Sequence, residues 1–379
     1  MRITYVIHNY WPAVGGIETV AKMLSERLTS MGHEVYVITS KYGAKDRPSY
    51  EIVNGVHVYR IKAYRPCFPD LTYPLEIPKE ALIRADIVHS HTHNSIFTLK
   101  MIEKAKMLGA KTATYFMAVD ALRDYNNLFV RLLGPAYSKY TVDKALEISD
   151  IKLVKSLRDQ EILKTRYKAE TFYIPDGINE DLLKMPNMAE SFRMKYNLYD
   201  PFVVYVGRLH KLKGIDSLIR AMVLIKKESP ELKAVIVGPG DQIPYLRLVE
   251  RLGIKDKVFF TGYVDETTKV GAIDASLALI LPSISNYVEA FSLAISEAWA
   301  RGKAVIASAV GEIPYRVKHL INGALVPPRD PKALADMIIK LYYDTDLLKK
   351  LSLEGRKEPL LSWYQVVDNL LKIYQKETI

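Results

Sequence analysis

Short apolar runs alternate along this chain with longer stretches in which apolar positions recur every third or fourth residue. The first pattern fits buried strands, the second helices with one face against a core. In the first half, the runs at 3–8, 34–39, 56–61, 86–90, 111–116, 151–155 and 171–174 are predicted strands, and the clearest helix spans 17–30, ending near Gly32. In the second half, predicted strands at 202–206, 233–237, 257–261, 277–281 and 304–307 alternate with helices near 215–227, 244–252, 267–273, 291–300 and 331–342. A last helix is predicted from Trp363 to Tyr374. This alternation predicts an α/β protein with parallel sheets, because parallel neighbours need a crossover that a helix supplies.

The break between the halves falls near Pro175-Asp176-Gly177-Ile178-Asn179, and a polar stretch through Asn197 leads to the new strand at Phe202. The expected organisation is two doubly wound domains, 1–178 and 179–361, facing each other across a cleft between the carboxyl edges of their sheets. Segment 362–379 is expected to pack back onto the first domain. A length of 379 residues suffices for two cores.

The net charge of +10 admits nucleic acid, an anionic membrane surface or phosphorylated substrates as partners. The excess is spread over both halves without a basic tail, which argues against nucleic acid. No apolar run approaches the ~20 residues that span a bilayer. The start reads directly as a strand and lacks a signal peptide's cleavage region, and the single Cys67 excludes an intramolecular disulfide. A cytoplasmic location is expected from these features.

The most informative chemistry is the segment from Ser285 to Ala298, where Glu289 and Glu297 straddle a predicted helix start after a strand. In open parallel sheets, ligands bind outside the carboxyl ends of the strands. A helix N-terminus there suits a phosphate, with Glu289 in the loop beside it and Glu297 nearly two turns into the helix. Two carboxylates beside a phosphate make sense if the ligand carries hydroxyls, as a nucleotide sugar does. Arg208 and Lys213, in Val206-Gly207-Arg208-Leu209-His210-Lys211-Leu212-Lys213-Gly214, follow another strand and could stabilise a departing diphosphate. Gly15-Gly16-Ile17-Glu18 opens the first long helix and lets backbone approach a ligand closely. It is not a dinucleotide fingerprint: G-x-G-x-x-G is absent, and Gly238-Pro239-Gly240 is its nearest imitation.

His89-Ser90-His91-Thr92-His93 would place three histidines on one face if extended. No cysteine or nearby carboxylate completes a zinc site, so packing or an acceptor contact is expected and no metal. Asp344-Thr345-Asp346 reads as a solvated turn between helices. The stretch from Tyr59 to Phe68 interleaves cations and aromatics and could lie against anionic headgroups as a peripheral membrane contact.

Taken in order, these motifs make the chain resemble the retaining glycosyltransferases of family 4. They are Gly15-Gly16-Ile17-Glu18, Asp86-Ile87-Val88-His89-Ser90-His91, Ile174-Pro175-Asp176-Gly177-Ile178-Asn179, Val206-Gly207-Arg208-Leu209, Val237-Gly238-Pro239-Gly240, the Glu289–Glu297 pair, and Gly302-Lys303-Ala304-Val305-Ile306-Ala307-Ser308. The resemblance covers nearly the whole length. It implies the GT-B fold of two Rossmann-like domains and sugar transfer with retention, without a divalent metal or other cofactor. The implied donor is a UDP- or GDP-linked sugar and the implied acceptor a lipid-linked or saccharide molecule. By the same resemblance, Arg208 and Lys213 grip the diphosphate, Glu297 holds the ribose and Glu289 meets the sugar hydroxyls, while Phe291, Ser292 and Leu293 line phosphate and sugar. Gly207 and Gly238 belong to the donor side, with Gly16 approaching from the first domain; Gly15, His91 and Asp120 belong to the acceptor side. Two positions depart from the family pattern. The run Thr114-Tyr115-Phe116-Met117-Ala118-Val119-Asp120 lacks a histidine that many relatives carry, which Asp120 could replace, and Ser292 stands where glycine is common. A catalytically silent binding partner in a glycosylation complex and a nucleotide-sugar epimerase are the other readings.

Overall fold

The computed structural model describes residues 1–379 apart from 14, 67, 125–127 and 379, so Cys67 lies outside the described residues. The chain forms two compact units, Met1–Gly177 with Leu361–Ile379, and Ile178–Leu360.

The first unit runs β1 (Arg2–Val6), α1 (Gly16–Ser30), β2 (Glu34–Ser40), β3 (Tyr50–Val53), β4 (Val56–Ile61), β5 (Ala63–Tyr64), β6 (Tyr73–Pro74), α2 (Lys79–Leu82), β7 (Ile87–Ser90) and α3 (Ile96–Met107). It continues with β8 (Lys111–Phe116), α4 (Leu128–Ile148), β9 (Ile151–Val154), α5 (Leu157–Arg166) and β10 (Phe172–Tyr173). Its sheet has the order β10-β9-β8-β7-β1-β2-β4-β3, parallel except where β3 pairs antiparallel with β4. The inner strands are buried on both faces, which is why they read as continuous apolar runs. The edge strand β3 leaves Tyr50 and Ile52 exposed and shows no such run, so the sequence pattern passes over it. It passes over α3 and α4 too: α3 buries Phe97, Leu99, Met101 and Ile102 and carries the apolar Met107 on its exposed stripe beside Lys100, Glu103 and Lys104, and α4 carries Pro135 inside.

The second unit runs α6 (Glu180–Lys184), α7 (Ala189–Tyr196), β11 (Phe202–Val206), α8 (Ile215–Glu228), β12 (Lys233–Val237), α9 (Ile243–Arg251), β13 (Val258–Gly262), α10 (Glu266–Ala275) and β14 (Ala278–Leu281). It ends with α11 (Leu293–Ala300), β15 (Ala304–Ser308), α12 (Ile313–Arg316), β16 (Ala324–Val326), α13 (Pro331–Tyr343) and α14 (Thr345–Arg356). Its all-parallel sheet has the order β13-β12-β11-β14-β15-β16 around a core containing Tyr205, Ile236, Leu279, Trp299 and Ile306. Asp344 is the exposed link between α13 and α14 and caps the latter, its carboxylate accepting from Leu347 N, so the solvated turn read between helices also opens α14.

The stretch read as a polar connection holds two helices. Phe192 of α7 is buried in the core, and Asn179 caps α6 by accepting from Asp181 N. Arg301 ties this stretch down. Its guanidinium donates to both carboxylate oxygens of Asp274 at 2.8 and 2.6 Å and to the carbonyls of Leu182, Met185 and Pro186. Both partners are nearly out of solvent, with side-chain exposures of 9% and 2%. Arg301→Ala is expected to cost about 3–5 kcal/mol of stability, because it leaves Asp274 as an uncompensated buried charge. Chemical denaturation measures this, and a loss under about 1 kcal/mol would mean that the pair only fills space.

The last helix, α15 (Trp363–Thr378), packs against α1 within the first unit. Arg27 lies 4.2 Å from the Tyr364 ring and donates to its hydroxyl at 2.7 Å, while Tyr374 is fully buried and bonded to His89.

Candidate functional site

In the second unit the strand order reverses between β11 and β14, neighbours in space whose crossovers lead to opposite sides of the sheet. Loops leaving their carboxyl ends diverge there and open a crevice. The loop after β11 carries Gly207, Arg208 and Lys213; the loop after β14 carries Glu289. Ile284 N donates to Leu212 O at 3.0 Å and joins the two loops. Gly214, at φ 67°, is required at this junction: a Cβ there would stand 1.9 Å from Pro282 O.

Strand adjacency thus brings together residues 76 positions apart, with Lys213 Nζ 2.8 Å from Glu289 Oε1 and 3.2 Å from Val288 O. Ser283 donates to the same carboxylate oxygen at 2.5 Å. Glu289 is only 1% exposed, and among the described residues nothing donates to its second oxygen, Oε2. A buried carboxylate oxygen without a donor is costly, and hydroxyl groups of a ligand are the chemistry that would satisfy it. Arg208 is exposed, and its own carbonyl is held by the Tyr205 hydroxyl at 2.8 Å. Burial, with the charges of Arg208 and Lys213, lowers the pKa of His210 between them, a sign of a positive field over this loop. Gly207 N donates to Val237 O at 3.0 Å and Gly238 N to Gly262 O at 2.9 Å, which places both glycines where neighbouring strands end.

The helix after this loop starts later than the sequence pattern predicts. Phe291 and Ser292 precede it, Ser292 adopts a left-handed conformation (φ 67°, ψ 79°), and α11 begins at Leu293. Glu297 therefore stands just beyond the first turn rather than nearly two turns in. Lys269 of α10 donates to Glu297 at 2.7 Å and also pairs with Glu266 at 2.8 Å. Burial raises the pKa of Glu297, and Lys269 offsets part of that rise. Burial alone would lower Lys269, but the two carboxylates hold its ammonium above the ordinary lysine range. Ser283 and Lys269 escape the sequence pattern because neither sits in a motif; each is set against its glutamate by strand and helix packing.

The residues expected on the acceptor side lie in the first unit. Gly15 ends the loop before α1 and its carbonyl accepts from Thr19 N at 2.8 Å; Gly16 is the exposed first residue of that helix. His89, His91 and His93 do not share one face. His89 and His91 pack with Tyr5 and Tyr115, whereas His93 lies beyond the end of β7, stacks on Phe116 and accepts from Met117 N. All three are fully buried, so His91 occupies a packed interior position rather than a surface one. Among the described residues no group of three or more His, Cys, Asp or Glu is arranged to hold a metal ion. Asp120 accepts from Arg166 at 2.6 Å and Tyr167 at 3.0 Å, so both its oxygens are engaged within this unit.

In the stretch with interleaved cations, two of the three turn inward. Arg60 is 1% exposed and pairs with Glu51 at 2.5 Å; Arg65 lies over Tyr42 and donates to Asn9 and Thr72. Lys62 stays outside beside Glu76, and Tyr64, Phe68, Tyr73 and Leu75 are exposed. Among the described residues no helix is long and apolar enough to cross a membrane.

Comparison with known proteins bears on the family and the fold. Residues 189–358 match the model of glycosyl transferases group 1, and residues 14–182 that of glycosyltransferase family 4. An uncharacterised glycosyltransferase of Methanocaldococcus jannaschii is 30% identical, covering 99% of this chain and 98% of its own. The phosphatidylinositol N-acetylglucosaminyltransferase gpi3 subunit of Schizosaccharomyces pombe is 26% identical over 96% of this chain and 78% of its own. Among solved structures, sucrose-phosphate synthase from Thermosynechococcus elongatus superposes with a TM-score of 0.80 at 23% identity, covering 99% of this chain and 98% of its own. HepE of Anabaena in complex with UDP-glucose superposes with a TM-score of 0.77 at 18% identity, covering 99% of both chains. With two parallel α/β units, paired loops at a strand-order reversal and matches along nearly its whole length, the chain belongs to the group 1, family 4 glycosyltransferases and has their GT-B fold.

Proposed function

We propose that this enzyme transfers a sugar from a UDP- or GDP-linked donor to a lipid-linked or saccharide acceptor, with retention at the anomeric carbon and without a divalent metal. The observation that carries the donor assignment is the buried Glu289, one oxygen held by Lys213 and Ser283 and the other without a donor among the described residues. A sugar hydroxyl would satisfy that oxygen, and the diphosphate would lie toward Arg208, Lys213 and the start of α11. Glu297 would accept from ribose hydroxyls, its charge balanced by Lys269. Arg208 and Lys213 would take over the charge neutralisation that a metal supplies elsewhere. Retention rests on the family resemblance. The lipid-linked acceptor is supported by the phosphatidylinositol in the name of the Schizosaccharomyces pombe relative, and the exposed Tyr64, Phe68, Tyr73 and Leu75 suit a peripheral contact with a membrane.

Calorimetric titration with UDP, GDP and their hexose conjugates, all in EDTA, tests this reading. Glu297→Ala should weaken nucleoside diphosphates and sugar nucleotides alike, by about 1.5–3 kcal/mol for a lost charge-assisted hydrogen bond. Glu289→Gln should weaken only the sugar nucleotides. Binding that needs added Mg²⁺ or Mn²⁺ would refute metal independence, and affinities untouched by either substitution would remove the donor site from this crevice.

A further inference from the structure

The loop leaving β15 grips the loop that carries Glu289 and Ser292. Gly311 N donates to Asn286 Oδ1 at 2.7 Å, and Glu312 N donates to Glu289 O at 2.9 Å. Gly311 has φ 57°, and a Cβ there would meet Glu289 O at 2.3 Å, so the close approach depends on glycine. Beyond it, α12 ends in Arg316. One of its terminal nitrogens donates to Phe291 O at 2.5 Å and Ser292 O at 3.0 Å, and the other to Ser296 Oγ at 2.7 Å. The guanidinium lies 3.9 Å from the centre of the Phe291 ring.

In a trans peptide the carbonyl and the following amide N–H point in opposite directions. With the carbonyls of Phe291 and Ser292 drawn toward Arg316, the N–H groups of Ser292 and Leu293 are aimed away from it. These are amides at the start of α11, which have no acceptor within the helix. Ser292 also carries a Cβ in the left-handed region, a conformation its neighbours must maintain. We propose that Arg316 is a positioning residue for the donor diphosphate: its fork holds two loop carbonyls so that the Ser292 and Leu293 amides face the phosphate. It acts through the backbone rather than by touching the ligand. This inference rests on the donor-site reading above and adds to it the residue that sets the loop.

Binding of UDP and UMP to the full chain, measured by calorimetry, separates this role from others. Arg316→Met should weaken UDP about tenfold to a hundredfold and UMP much less, because only the diphosphate reaches both amides. Arg316→Lys should not restore UDP binding, since an ammonium supplies the charge but not the planar fork. Adding Ser292→Gly to Arg316→Met should recover part of the loss, because glycine holds the left-handed conformation without the brace. Full rescue by lysine would show that charge alone matters and overturn the proposal. So would equal losses for UDP and UMP, or no recovery in the double variant. If the unaltered chain bound neither UDP nor GDP, the donor-site reading would fall and this inference with it.

Discussion

Lys213→Ala is expected to lower turnover at saturating donor by about a hundredfold to a thousandfold, the usual loss for one group that stabilises a developing negative charge. Lys213 is held in place before the reaction begins: it sits on the turn preceding Gly214, 2.8 Å from Glu289 and 3.2 Å from Val288 O. An ammonium already fixed needs little reorganisation as charge grows on the leaving diphosphate. Arg208 is exposed and enters no ion pair among the described residues, so its guanidinium is free to fork onto phosphate oxygens. Arg208→Ala should therefore show a loss of the same kind. Because both cations answer one charge, the double variant should fall short of the sum of the two single effects. Steady-state kinetics on donor consumption, with melting temperatures recorded in parallel, decide the matter. Removing Lys213 also strips a buried carboxylate of its cation, and only the melting data separate that cost from catalysis. Weaker donor binding with unchanged turnover would make the two residues anchors rather than catalysts.

The second large effect is on stability in acid. Burial lowers the pKa of His8 to about 4 and of His89 and His93 to about 3, and lowers that of His91 well below its ordinary value. Lys155 adds to the lowering at His89 and His91, while Asp120 opposes it at His93 and Glu18 at His8. All four lie in the first unit: His89 and His91 pack with Tyr5 and Tyr115 and feel the charge of Lys155, which pairs with the buried Asp176 at 2.9 Å. His93 stacks on Phe116, and His8 feels the charges of Glu18 and Arg65. The folded chain keeps these rings neutral, whereas the unfolded chain protonates them near pH 6.5. Their contribution is therefore complete above about pH 6.5 and is lost as pH falls toward 3–4. Each ring costs at most about 1.4 kcal/mol per pH unit, or roughly 2 kcal/mol by pH 5. The first unit should lose most of its margin by pH 5, ahead of the second. Hydrogen exchange read by mass spectrometry across a pH series would show this, and His91→Leu should flatten the slope by about one proton. Equal protection of the first unit at pH 7 and pH 4.5 would mean that these histidines accept protons without unfolding.

What the linear pattern captured and what it missed follow from burial. Strands β11 and β12 lie where the apolar runs place them, because inner parallel strands are apolar on both faces and need no alternation. The edge strand β3 and the short β16 do not stand out in that way. Helices with one buried stripe, such as α8 and α13, show their period plainly, whereas α3, with Met107 on its exposed side, and α7, in a polar stretch, do not. At the candidate site, local sequence singled out Arg208, Lys213, Glu289 and Glu297 because each sits beside a strand end or helix start that a pattern can mark.

The α/β alternation, the parallel sheets and the family are legible in the chain read in a line, since periodicity and motif order are properties of that line. The folded arrangement is what sets β11 beside β14, and with it Lys213 and Ser283 on one oxygen of Glu289 while the other has no donor among the described residues. It alone set Lys269 against Glu297 and Arg316 against the carbonyls of Phe291 and Ser292, and it turned Arg60, Arg65 and Asp120 to internal partners. The reason is the range of the forces involved. Hydrophobic burial leaves a period in neighbouring residues, whereas an ion pair or a hydrogen bond joins whichever groups the sheet order brings within about 3 Å, and distance along the chain carries no record of that.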